Sequence, residues 1–109
     1  MDDQTFQKRA DSALEALRDA LYDAEENGGF EVDESGGALQ ITFEEPLAKF
    51  VISPNAPVHQ IWISALSTSF KLDWSDDLGE FVLHKTGETL KPLMARLISE
   101  QTGAPVSLD

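Results

Sequence analysis

The sequence predicts a two-layer α+β domain in which an N-terminal and a C-terminal helix pack on one face of a five- to six-stranded antiparallel sheet. Three observations carry this. Apolar residues recur at three- and four-residue spacing near both ends of the chain, they alternate with polar residues in between, and the alternating runs are joined by connections too short for parallel crossovers. The 109 residues, 41% hydrophobic, suffice for a core of one domain spanning 1–109 without a disulfide, and no cysteine is present to form one.

Phe6, Ala10, Ala13, Leu14, Leu17, Leu21 and Ala24 form one stripe of a helix from about residue 4 to 25. At about 100° per residue, Asp11, Glu15, Asp19, Asp23 and Glu26 fall on the opposite side, giving an acidic ridge. Asn27-Gly28-Gly29 stops this helix, because asparagine and glycine accept the left-handed conformation common beyond a helix end. "FEVDE" then alternates from Phe30, "SGG" turns the chain, and Leu39, Ile41 and Phe43 alternate again, which predicts a hairpin. Glu45 and Pro46 break it, "KFVIS" resumes a strand, and Pro54 to Pro57 turn the chain into "HQIWIS". Two further strands are predicted at Phe70–Trp74 and Glu80–His84, the latter with Phe81 and Leu83 inward. The closing helix carries Leu90, Leu93, Met94, Leu97 and Ile98 on one face, with Thr89 as N-cap, Pro92 in the first turn and Gly103 at the end.

Charge narrows the function. The net charge is -12, and residues 1–34 hold eleven Asp and Glu against Lys8, Arg9 and Arg18. Such a surface repels nucleic acid phosphates. No stretch has the length of a membrane span and the N-terminus has neither a signal nor a transit pattern, so the expected location is cytoplasmic. No Gly-rich phosphate loop or nucleophile elbow occurs, and His59 and His84 lack metal-ligand spacing and are expected as surface or edge residues. The ridge, with Glu31, Asp33 and Glu34 following, offers many hard oxygen donors but no dedicated cage, which suits weakly held, hydrated cations; charge runs more often form a helix face that only solubilises.

In the strand "HQIWIS" period-two alternation places Ile61 and Ile63 inward and Gln60, Trp62 and Ser64 outward. Trp74 shares a strand face with Phe70 and Leu72 and is assigned to packing. Trp62 on strand statistics alone would cover neighbouring strands.

"GGALQITF", the Pro57-x-x-Gln60-Ile61-Trp62-Ile63-Ser64 run, "FKLDW" and "TGETLKPLM" together resemble the frataxin family, specifically its short bacterial homologues, over essentially the whole chain. The resemblance implies two helices on one face of an antiparallel sheet, and a role in iron-sulfur cluster assembly. It implies weak binding of ferrous and ferric iron, docking on the cysteine desulfurase and its scaffold protein, and a monomer in the absence of iron. Position by position, it assigns iron to Asp19, Asp23, Glu25, Glu26 and Glu31 and partner contact to Gln60 and Trp62. A ferroxidase activity is attributed to some members, so an enzyme oxidising ferrous iron at the ridge is the alternative to a regulator or iron donor. Arg18 and Tyr22 stand where family members often carry further carboxylates, and Ser53-Pro54-Asn55 replaces a more usual Asn-basic-Gln pattern.

Overall fold

The computed structural model describes residues 1–44 and 46–108. Helix α1 spans Asp3–Gly28. Seven strands follow: β1 (Phe30–Ser35), β2 (Ala38–Glu44), β3 (Leu47–Asn55), β4 (Gln60–Ala65), β5 (Thr68–Ser75), β6 (Glu80–Leu83) and β7 (Glu88–Thr89). Helix α2 spans Leu90–Thr102. The strands form one antiparallel sheet in chain order, as expected from the short connections.

Local chemistry sets the boundaries. Asp2 caps α1, its Oδ1 accepting the Thr5 N–H at 2.7 Å, so the helix starts a residue earlier than its apolar stripe suggests. Gly29, at φ 73°, closes it. Gly28 is still helical, and a Cβ there would run into the Phe30 ring, so glycine permits the close approach of helix end and first strand. Gly36 and Gly37, both at positive φ, make the two-residue turn that pairs Ser35 with Ala38. Of the break expected at Glu45 and Pro46, Glu45 lies outside the described residues; β2 ends at Glu44 and β3 begins at Leu47.

Three details differ from the sequence-based expectation. β3 continues through Pro54 to Asn55, and the turn is a short 3-10 segment at Ala56–Val58 with His59 left-handed at φ 53°. A seventh strand of two residues pairs Val82 with Thr89 and Leu83 with Glu88, too short to leave an alternating pattern. Thr89 occupies the N-cap position of α2 but its side chain makes no capping bond.

Both helices cover one sheet face, and the core lies between. Phe6, Leu17 and Leu21 of α1 and Leu93, Met94, Leu97 and Ile98 of α2 are fully buried against Leu39, Ile41, Phe43, Phe50, Ile52, Ile61, Ile63, Leu72 and Phe81. Phe81 stands edge-on to Phe6 at 5.9 Å and to Trp74 at 5.2 Å, which confirms the inward assignment of Trp74. Beyond α2, Val106 and Leu108 fold back onto this core.

A forked ion pair ties β7 to α2: Arg96 Nε and Nη2 donate to Glu88 Oε2 and Oε1 at 2.8 and 2.9 Å. The hydrogen bond from Arg96 holds the Glu88 carboxyl below its ordinary value of 4.5, with Thr86 contributing. The stabilisation is therefore fully present above pH 4.5 and lost as pH falls through the lower folded-state value. Glu88→Gln should lower unfolding free energy at pH 7 by about 1 kcal/mol, given solvent screening of the partly exposed Arg96, and should cost far less near pH 2. Urea unfolding at the two pH values checks this.

Candidate functional site

The ridge carboxylates fall into two groups. Helical periodicity leaves Asp11, Glu15, Asp19, Asp23 and Glu26 exposed on the solvent side of α1, and Arg18 draws part of this row to itself. Its guanidinium lies 3.3 Å from Asp19, 3.4 Å from Glu34 and 3.9 Å from Glu15. The hydrogen bond to Asp19 and the charge of that carboxylate, then the charge of Glu34, raise the Arg18 pKa above its ordinary range. The basic residue on the ridge thus offsets carboxylate charge midway along the helix.

The second group lies where α1 ends and the sheet begins. Glu25, Glu26, Glu31 and Glu44 line an open depression of about 670 Å³ together with Phe30, Thr42 and Thr102, and among the described residues no basic side chain lines it. Glu25 is also structural. Its Oε2 accepts the Val32 N–H at 2.7 Å, satisfying a donor that the edge strand β1 cannot give to β2. Of the five residues assigned to iron, the structure brings Glu25, Glu26 and Glu31 together here, while Asp19 and Asp23 lie further back on the helix. Glu44 was missed; the signal was its place at the outward end of β2, opposite Leu47 and one strand from Glu31.

Among the described residues, no three His, Asp or Glu side chains converge closely enough to chelate one ion. The donor set is all carboxylate, so a hard, hydrated cation fits it, held through several exchangeable contacts. His59 and His84 belong to other contacts. His59 Nε2 meets Asp3 Oδ1 at 2.7 Å with its ring stacked on Phe6, and His84 reaches Asp73 at 3.7 Å from an exposed position.

The two groups predict different mutational behaviour. Asp23→Asn, which keeps the Arg18–Asp19 pair, should leave the melting temperature unchanged or raise it in low salt, because Asp23 repels Asp19 and Glu26 at four- and three-residue spacing. Glu25→Ala should cost about 1 kcal/mol by stripping Val32 N–H of its acceptor. Thermal unfolding at two salt concentrations separates the effects.

On the sheet face away from the helices, Trp62 is 36% exposed. Its Nε1 donates to Gln60 Oε1 at 2.8 Å, and Gln60 Nε2 donates to Asp73 Oδ1 at 2.9 Å. Lys71 Nζ sits 4.8 Å above the indole. The ring is thereby held in one orientation with one face partly covered. Lys71 and Asp73 went unassigned in the sequence, although the alternation of "FKLDW" turns both outward and the register sets them opposite Trp62 and Gln60. Glu31 and Asp33 share this outer face with Trp62, three strands across (about 14 Å at the usual strand spacing) and, by the register, four and two residues further along the sheet. The carboxylate depression and the tryptophan therefore border one continuous surface.

Comparison with known proteins agrees with this architecture. The family model of the frataxin-like domain matches residues 1–104. The chain is 33% identical over 106 residues to the "iron-sulfur cluster assembly protein CyaY" of Pseudomonas fluorescens (strain SBW25), covering 95% of this chain and 92% of that one. The fold is also that of frataxin from Psychromonas ingrahamii, with a TM-score of 0.84 over 100% of this chain and 99% of that chain, at 21% identity. The chain belongs to the frataxin-like domain family, as a homologue of the bacterial CyaY proteins.

Proposed function

We propose that this protein is an accessory factor of iron-sulfur cluster assembly that holds iron weakly as cargo at the carboxylates closing α1 and opening β1, and docks on the cysteine desulfurase and its scaffold protein. The observation that carries this reading is the depression lined by Glu25, Glu26, Glu31 and Glu44 with no basic side chain among the described residues of its lining, beside an outer sheet face that displays a fixed tryptophan. Open carboxylates without a cage exchange a hydrated ion readily, which suits delivery or sensing better than storage. Asp19 and Asp23 extend the field along the helix and serve as secondary contacts. The kinship to an iron-sulfur cluster assembly protein at 33% identity supports the same role.

Docking divides into steering and anchoring. Carboxylates on the ridge and on β1 attract a basic patch on the desulfurase, and Trp62 with Gln60 supplies a desolvated contact. Stopped-flow association of the desulfurase–scaffold complex with the wild type and with a Asp23→Asn, Glu26→Gln, Glu31→Gln variant tests the first part. The variant is expected to associate several-fold more slowly at low salt, with a flatter dependence on ionic strength. Equal rates and equal salt slopes would remove the electrostatic reading.

A further inference from the structure

One side of the N-terminal half of α1 borders a groove of the reverse polarity. Between the start of α1, the β5–β6 turn and the first turn of α2 lies a groove of about 420 Å³, whose lining includes Lys8, Arg9, Lys91, Trp74, Phe81 and Glu80. Three of the chain's eight Lys and Arg meet here against one carboxylate, a local balance of +2 in a protein of net charge -12. Lys8 and Arg9 stand about 25 Å along the helix from Glu25, so the two regions are electrostatically separate.

These cations are not consumed by ion pairing. Among the described residues, the ion pairs made by Lys and Arg involve Arg18 and Arg96 alone. Arg9 instead lies 4.3 Å over the Trp74 ring, its Nη1 reaching only the Met1 sulfur at 3.6 Å. Trp74 is half-buried, with its indole N–H committed to Asp76 at 3.0 Å, so what it offers the groove is ring surface. The first turn of α2 adds the positive end of a thirteen-residue helix that has no acidic residue there and no side-chain cap.

We propose that this groove is a binding site for a small organic anion built on a flat ring, the ring lying against Trp74 and the Arg9 guanidinium and the anionic head between Lys8 and Lys91. The volume falls within the range of small-molecule sites, and the lining joins apolar ring surface to a few convergent charges, as such sites do. A cation is repelled by the local balance. A bare inorganic anion would leave the exposed part of the Trp74 ring unused.

The test is a titration of the whole protein with 8-anilinonaphthalene-1-sulfonate, followed by backbone amide NMR and, on a Trp62→Phe background that leaves Trp74 as the sole indole, by tryptophan emission. Inorganic sulfate and hexaglutamate are titrated in parallel. The expected result is saturable one-to-one binding that shifts Lys8, Arg9, Gly79, Lys91 and the Trp74 indole signal, leaves Gln60 and Trp62 unshifted in the wild type, and weakens at least about tenfold in Lys91→Glu and in Lys8→Glu. The two charge reversals sit on different helices, and thermal unfolding of each establishes that the fold persists. Shifts centred on the Trp62 face, or affinity unchanged in both reversals, would overturn the proposal. So would sulfate or hexaglutamate binding the groove as tightly as the aromatic sulfonate, which would make the ring dispensable.

Discussion

Phe81→Ala is expected to destabilise the protein by about 3–5 kcal/mol, the range for emptying a buried aromatic site. The ring is 1% exposed and stands edge-on to both Phe6 and Trp74, so its removal opens a cavity where α1, β5 and β6 meet. The surroundings have little freedom to collapse. Phe6 is pinned on its other side by the stacked His59 ring at 5.2 Å, and Trp74 by Arg9 and Asp76. Chemical denaturation of the variant checks the magnitude, and a loss below about 1 kcal/mol would mean that the inner sheet face is not packed as described.

Trp62→Ala carries the largest expected effect on function. Its ring is on the opposite sheet face, oriented by Gln60 and held under Lys71, so a partner docking there as proposed would meet a large apolar surface that needs little further ordering. Removing it should weaken the desulfurase complex by about 2 kcal/mol or more, roughly thirtyfold in Kd, chiefly through faster dissociation. Because the ring lies outside the core, the same substitution should cost folding much less than the roughly 3–5 kcal/mol of a buried aromatic. Calorimetric titration and thermal unfolding on one variant give both quantities. Unchanged binding with severe destabilisation would place Trp62 in a structural role and remove the anchoring contact.

The contrast between Trp62 and Trp74 was legible in the sequence because strand alternation alone sends Ile61 and Ile63 one way and Trp62 the other, while Phe70, Leu72 and Trp74 share a face. The helices and six of the strands were legible for the same reason, each having a periodic apolar face. β7 was not. A two-residue strand has no period, and it exists because Gly87 turns the chain back beside β6 and Arg96 grips Glu88 from α2.

The candidate site divides along similar lines. The ridge could be read from helical spacing, and the positions assigned by family resemblance include three that the fold does bring to one depression. The predicted hairpin already returns β2 beside β1; what the sequence did not show is that the end of α1 meets the sheet beside Glu44. Glu25 is assigned to iron by the resemblance alone; only the tertiary fold reveals that one of its oxygens serves the Val32 amide. Arg18 shows the same limit, since its contact with Glu34 spans helix and strand. Long-range pairing decides which carboxylates are committed to the fold and which remain available to a cation.

The claim that these carboxylates hold iron is tested most directly by anaerobic titration of the isotope-labelled protein with ferrous iron, read by backbone amide NMR at two salt concentrations. Broadening should begin at Glu25, Glu26, Glu31 and Glu44, extend to Asp19 and Asp23 as iron increases, and diminish at higher salt because the sites are open to solvent. Broadening centred on His59 and His84, or none at the end of α1 and the start of β1, would contradict the account.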